Sequence, residues 1–183
     1  MLSLYRAGAL AQLTEVLKKY RIPLVALQEI RWKDSNILRT KEYTIFYSGG
    51  STNNLGTGFA VKKEMAGNVI GFKPVSDRFC SLRLRRKFFN ILFINVHTPT
   101  EDADDNTKEA FYDGLERIYD EAPKHDIKIV LEYFNAKIGK ESAFIPIIGQ
   151  ESLHEETNNN GIRLVDFASG KGIFVYQQHK IPT

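Results

Sequence analysis

Apolar positions along this chain follow two periods, one helical and one of strand type. Leu4, Leu10, Leu13, Leu17 and Tyr20 recur at helical spacings, with Lys18, Lys19 and Arg21 crowding the end where cations suit a helix dipole. Pro23 closes that amphipathic helix, and the run over 24–27 predicts a buried strand feeding Gln28 and Glu29. Aromatic and β-branched residues over 42–48, a polar loop over 49–54 and a returning run over 56–61 predict a hairpin. A second hairpin is expected from the alternating run 79–84, the basic turn of Arg85, Arg86 and Lys87, and the long apolar run 88–96. After the acidic stretch 101–105, Phe111, Leu115, Ile118 and Ala122 share one face of a helix over about 106–121, which Pro123 ends. Residues 128–131 predict another buried strand, 158–161 a turn, 162–168 a short helix, and the remainder a last strand.

This order predicts an α+β protein with sheets packed face to face and helices outside, and it argues against an alternating βαβ barrel. Three apolar runs end in polar clusters. Residues 24–27 lead into Gln28 and Glu29, 91–96 into His97, Thr98 and Pro99, and 127–131 into Glu132, Tyr133, Phe134 and Asn135. Polar groups at the ends of neighbouring strands can be held rigidly around one ligand or ion.

With 183 residues the chain suits one domain, taken as 1–183, with no linker, repeat or low-complexity segment. A hydrophobic content of 43% and a charged content of 26% exclude disordered and collagen-like classes without choosing among enzymes. The formal charge of +3 is compatible with a polyanionic partner, as it is with none. Cys80 is the single cysteine, which excludes an intrachain disulfide and a thiolate metal cluster and suits a reducing compartment. Arg6 breaks any early apolar stretch, and Asn90 and Asn95 interrupt the best apolar run. Neither an export signal nor a membrane span is expected, and an intracellular location, nucleus or cytoplasm, follows.

Six motifs carry a resemblance: Leu27-Gln28-Glu29, Gly56-Thr57-Gly58-Phe59, Ile94-Asn95-Val96-His97-Thr98-Pro99, Lys108-Glu109-Ala110-Phe111-Tyr112, Phe134-Asn135-Ala136-Lys137-Ile138-Gly139 and Asn160-Gly161-Ile162-Arg163-Leu164. Together they make the chain resemble the endonuclease/exonuclease/phosphatase family, nearest to the endonuclease domains of non-LTR retrotransposons. The resemblance implies a four-layered αββα sandwich of two mixed sheets, here an incomplete domain truncated at both ends. It also implies hydrolysis of a phosphate ester, with DNA as substrate and magnesium as cofactor. A hard cation of that kind takes oxygen ligands.

By this resemblance Glu29 falls at the metal-ligating glutamate, and His97 takes the place of a tyrosine that contacts the scissile phosphate. Asn135 matches the asparagine that orients nucleophile and phosphate. Read without the resemblance, Glu29 is a solvated loop residue, His97 a turn residue and Asn135 a turn former.

Tyr133 stands where the family has the aspartate that orients and deprotonates water, and Glu132 where it has glycine. A phenol with a reference pKa of about 10 is a neutral donor at pH 7, and loss of a positioned general base costs roughly 10²- to 10⁴-fold in rate. Consecutive strand residues point to opposite faces, so Glu132 is not expected to stand in. The family's first-strand asparagine would precede Met1, and its terminal Asp-His pair would follow Thr183. His125, His154 and His179 do not match that histidine. The expectation is an impaired endonuclease, a pseudoenzyme with weakened magnesium binding. One alternative is a non-catalytic nucleic-acid-binding remnant using Arg83, Arg85, Arg86 and Lys87, which otherwise form a solvated hairpin. A phosphomonoesterase or lipid phosphatase ranks last.

Overall fold

The amphipathic segment near the N-terminus forms α1 (Ala9–Lys19) in the computed structural model, which describes residues 4, 6–132, 135–149, 152 and 154–176. The chain divides into two compact units, one of residues 1–97 with 118–133 and the other of residues 98–117 with 134–183.

All eight strands among the described residues belong to the first unit. β1 (Leu24–Gln28), β2 (Ser35–Arg39), β3 (Tyr43–Ser48) and β4 (Thr57–Lys62) form one sheet in the order β1-β4-β3-β2, antiparallel throughout. A short helix α2 (Lys63–Ala66) leads to the second sheet. There β5 (Val69–Pro74), β6 (Phe79–Leu84), β7 (Ile91–Val96) and β8 (Ile127–Glu132) lie in sequence order, antiparallel except for the parallel pair β7 and β8. Only one sheet is therefore mixed, where two were expected. Loops join β2 to β3 and β3 to β4 as antiparallel neighbours, and β1 pairs antiparallel with β4. A parallel pair needs a long crossover, which here runs through α3 (Asp105–Glu121).

Period-two patterning builds the layers. Phe46, Phe59 and Val61 of the first sheet pack with Cys80, Leu82 and Leu84 of the second. On the other face of the first sheet, Leu27, Tyr43, Ile45 and Ala60 pack with Leu17 of α1. The last turn of α3 covers the outer face of the second sheet, where Tyr119 lies under Lys128 Nζ at 4.4 Å and Glu121 pairs with Lys73 at 2.8 Å. Helix, sheet, sheet, helix is the expected layering.

Both hairpins form, but β7 starts at Ile91, not at residue 88. Phe88 and Phe89 are 80% and 60% exposed. The strands β2 and β5 were not expected. Both are sheet edges, bonded on one side only; β2 is exposed along its whole length and β5 has no fully buried residue, so neither carries an apolar alternation to read.

The second unit holds the start of α3, a single turn of 3-10 helix (Ser142–Phe144), α4 (Ile145–Ile148) and α5 (Asn159–Lys171). Asn158, expected in a turn, caps α5: its side-chain oxygen accepts from Gly161 N at 2.8 Å. Gly172, with φ +62°, ends the helix in the left-handed conformation. After α5, residues 173–176 form no strand.

Candidate nucleic-acid-processing site

In the first unit, β1 and β7 carry Glu29 and His97 at their ends. Glu29 has φ +52°, an uncommon left-handed conformation for a residue with a side chain. Two backbone bonds hold that corner, Ile30 N to Gly56 O at 3.2 Å and Arg31 N to Leu55 O at 2.8 Å. Its partly exposed carboxylate meets Arg31 Nη2 at 3.4 Å. Such strain at a strand end, maintained by surrounding bonds, is typical of functional corners.

Asn95 ties the two sheets together just before the site. Its side-chain amide donates to Leu27 O at 2.9 Å and Gly58 O at 2.8 Å, and its oxygen accepts from Gln28 Nε2 at 2.6 Å. Gly58 permits the close packing, since a Cβ there would meet Phe46 O at 2.4 Å. Cys80 lies buried beside this network, its thiol pushed up to about 12 by burial, and so is no nucleophile at neutral pH.

His97 is 8% exposed, and its Nδ1 has no hydrogen-bond partner among the described residues. Burial, reinforced by the Arg78 guanidinium, lowers the imidazole pKa below its usual value, while Glu29 and Asp77 pull more weakly the other way. A neutral ring is the result at pH 7. It can donate one hydrogen bond to a phosphoryl oxygen but brings no charge. The charge comes from Arg78, whose Nη1 donates to His97 O at 3.0 Å, and whose own pKa burial lowers. An arginine nonetheless remains protonated.

Arg78 and Asp77 were missed in the sequence. The register signal was available, since Phe79 pairs with Val96 and the next pair outward joins Arg78 O to His97 N at 2.9 Å.

In the second unit, Asn135 is fixed by its backbone more than by its side chain. Its carbonyl accepts from Asn158 Nδ2 at 2.9 Å, whereas its Nδ2 reaches Thr98 O only at 3.5 Å. Asn158 Oδ1 also accepts from Lys137 N at 2.9 Å, and Gly139 N donates to Thr157 Oγ1 at 2.8 Å. Gly161 makes this docking possible, because a Cβ there would stand 2.0 Å from Lys137 O. Glu101 accepts from the N–H groups of Asn159 and Asn160, and the Asn160 side chain donates to Pro99 O at 3.1 Å. The Asn160 motif thus serves two loops, Asn160 holding Pro99 and Gly161 docking against the loop that carries Asn135. Tyr133 lies outside the described residues.

Glu132 does not stand with these groups. It pairs in register with Val96, whose side chain is fully buried, and both its carboxylate oxygens are buried with no hydrogen-bond partner among the described residues. Burial pushes its pKa well above the carboxylate range.

No family model matches the chain. Craniofacial development protein 2 of Tragulus javanicus is 30% identical over 162 residues, covering 87% of this chain and 28% of that protein. The Bos taurus protein of that name is 29% identical over 162 residues, covering 87% and 27%. The chain spans just over a quarter of the length of these curated relatives. It is their distant homologue. Among solved structures, the endonuclease domain of TRAS1, a telomere-specific non-LTR retrotransposon, superposes with a TM-score of 0.57 over 91% of this chain and 66% of that one, at 14% identity. The chain has an endonuclease-domain fold.

The resemblance read from the sequence implies a divalent cation. Glu29 offers the hard, accessible oxygen that magnesium requires, and magnesium commonly binds through one or two carboxylates while keeping several waters. Among the described residues no group of three or more His, Cys, Asp or Glu could share an ion. The donor chemistry fits at Glu29, but without an enclosing cage. No helix among the described residues is long and apolar enough to cross a membrane.

Proposed function

We propose that this chain is a retrotransposon-type endonuclease domain whose reaction is magnesium-dependent hydrolysis of DNA phosphodiester bonds, and that its own catalytic power is low. The observation that carries this reading is a set of charged and polar groups gathered at the ends of neighbouring strands beside a family aspartate position that holds tyrosine. Glu29, Arg78 and a neutral His97 lie in one electrostatic neighbourhood, while position 133 holds a phenol.

In this reading Glu29 would hold the ion, which when bound stabilises charge on the phosphoryl oxygens. His97 donates a hydrogen bond to a non-bridging oxygen, and Arg78 supplies fixed positive charge in a partly desolvated setting. Asn135, anchored within the second unit, keeps the phosphate-orienting role that the resemblance implies. What is lacking in this reading is the family's carboxylate at position 133: a phenol with a reference pKa of about 10 is a poor acceptor for the proton of the attacking water at pH 7, and Glu132 faces the apolar side of its strand. A lone carboxylate also weakens magnesium binding relative to a complete site. A nucleic-acid-binding role with little turnover follows from the same features.

The substrate class is tested by setting supercoiled DNA beside p-nitrophenyl phosphate and a soluble inositol phosphate with magnesium. Any residual turnover is expected on DNA alone and is expected to disappear in Glu29→Ala. Preferential turnover of the monoesters would overturn the endonuclease reading in favour of a phosphatase.

A further inference from the structure

The connection between β6 and β7 is a fully exposed tip that the hydrolytic site does not use. Over residues 85–89 it carries Arg85, Arg86, Lys87, Phe88 and Phe89, all exposed, with no acidic residue among them. Large aromatic rings 80% and 60% exposed side by side are uncommon on a soluble surface unless something covers them. Lys87 Nζ stands 5.2 Å from the Phe88 ring centroid, so charge and ring face are presented together.

The tip is held from below. Arg85 N donates to Asn68 O at 2.8 Å and Ile127 N donates to Asn90 O at 2.9 Å. Arg83 is committed to Asp126, with Nε to Oδ2 at 2.5 Å and Nη2 to Oδ1 at 2.9 Å, and its partner is 3% exposed. Arg83 is therefore a structural cation and drops out of the basic set expected from the sequence. Among the described residues Arg85, Arg86 and Lys87 make no ion pair, leaving their charge for a partner.

We infer that this tip is a second nucleic-acid contact, binding a single-stranded polynucleotide by stacking unpaired bases on Phe88 and Phe89 while Arg85, Arg86 and Lys87 meet the phosphates. Cations matched to a polyanion, with ring faces that every base can stack upon, form the usual platform for unpaired strands. A duplex keeps its base faces covered and engages the cations alone. The tip lies at the opposite end of β7 from His97, about 20 Å away at strand rise, so it grips strand that is not being cut. The inference goes beyond the hydrolytic reading and does not depend on it, because binding is read without turnover.

The test is fluorescence anisotropy with labelled oligothymidylate, oligouridylate and a DNA duplex, in EDTA and across a salt series. Single strands are expected to bind more tightly than duplex, and the two oligomers show whether DNA or RNA is preferred. Joint Phe88→Ala and Phe89→Ala are expected to weaken single-strand binding about tenfold or more without changing the salt slope. Joint Arg85→Gln, Arg86→Gln and Lys87→Gln are expected to reduce the slope by about 2, at about 0.7 per phosphate contact. Phe88→Leu with Phe89→Leu should bind as poorly as the alanine pair, since the alkyl chain has no ring face. Phe88→Trp supplies a positive readout, its emission being quenched as strand is added. Unchanged melting of each variant shows that the fold is intact. Equal binding by wild type and the alanine pair, full binding by the leucine pair, or capture by phosphatidylserine vesicles in preference to either oligomer would overturn the inference.

Discussion

Glu132 directs a carboxyl with no hydrogen-bond partner among the described residues into the apolar face that it shares with Val96. Leaving such a group unsatisfied costs about 1–3 kcal/mol, so Glu132→Leu is expected to stabilise the chain by about that amount in urea titrations near neutral pH. The sign of its pH dependence follows from the raised pKa. The folded chain holds the proton that the unfolded chain releases above about pH 4.3, so stability falls as pH climbs from there towards the folded value. His97 acts in the opposite sense. Its lowered pKa means that the unfolded chain takes up the proton first, so its share of stability is intact above about pH 6.5 and fades as pH falls. The two slopes oppose one another and must be read as differences, wild type against Glu132→Leu and wild type against His97→Gln. Absence of a pH-dependent difference in either pair would contradict the assigned environment. At this scale Glu29, His97 and Asn135 were legible as candidates from strand ends and motifs. The lowered pKa of His97 was not, because it arises from burial and from Arg78, a neighbour across a strand pair.

Helix α5 shows how an element and a candidate residue depend on one another. Its cap Asn158 serves three bonds, to Gly161 N, to Lys137 N and to Asn135 O. Asn158→Ala is expected to cost about 1–2 kcal/mol through the cap alone and to speed amide exchange at Lys137 and Gly139. Gly161→Ala should have the same exchange signature, because its methyl must displace Lys137 O. Unaltered exchange in both variants would detach the Asn135 loop from α5. In the sequence, Asn158 to Gly161 looked like a turn, since Asn and Gly favour turns and helix starts alike; tertiary docking decides between them. The predicted helix was accordingly short at both ends. Strong periodicity made α1, α3 and the buried strands readable, whereas β2 and β5 depend on edge pairing that leaves little pattern in the side chains. The apolar run starting at residue 88 misled for the reason that its first two rings face solvent.

For the molecule as a whole, the α+β class and the packed sheets were foreshadowed by the order of elements, because amphipathic helices and half-buried strands have few ways to cover one another. The parallel pairing of β7 with β8 was less visible, as it depends on the path of α3. Fold alone does not convey activity, and the decisive chemistry rests on few positions. The direct measurement is nicking of supercoiled DNA by the purified chain with magnesium, run beside Glu29→Ala and an EDTA control. Loss of a general base worth roughly 10²- to 10⁴-fold should leave wild type close to both controls. Robust cleavage by wild type, abolished by EDTA and by Glu29→Ala, would contradict the assignment of Tyr133 as the missing base.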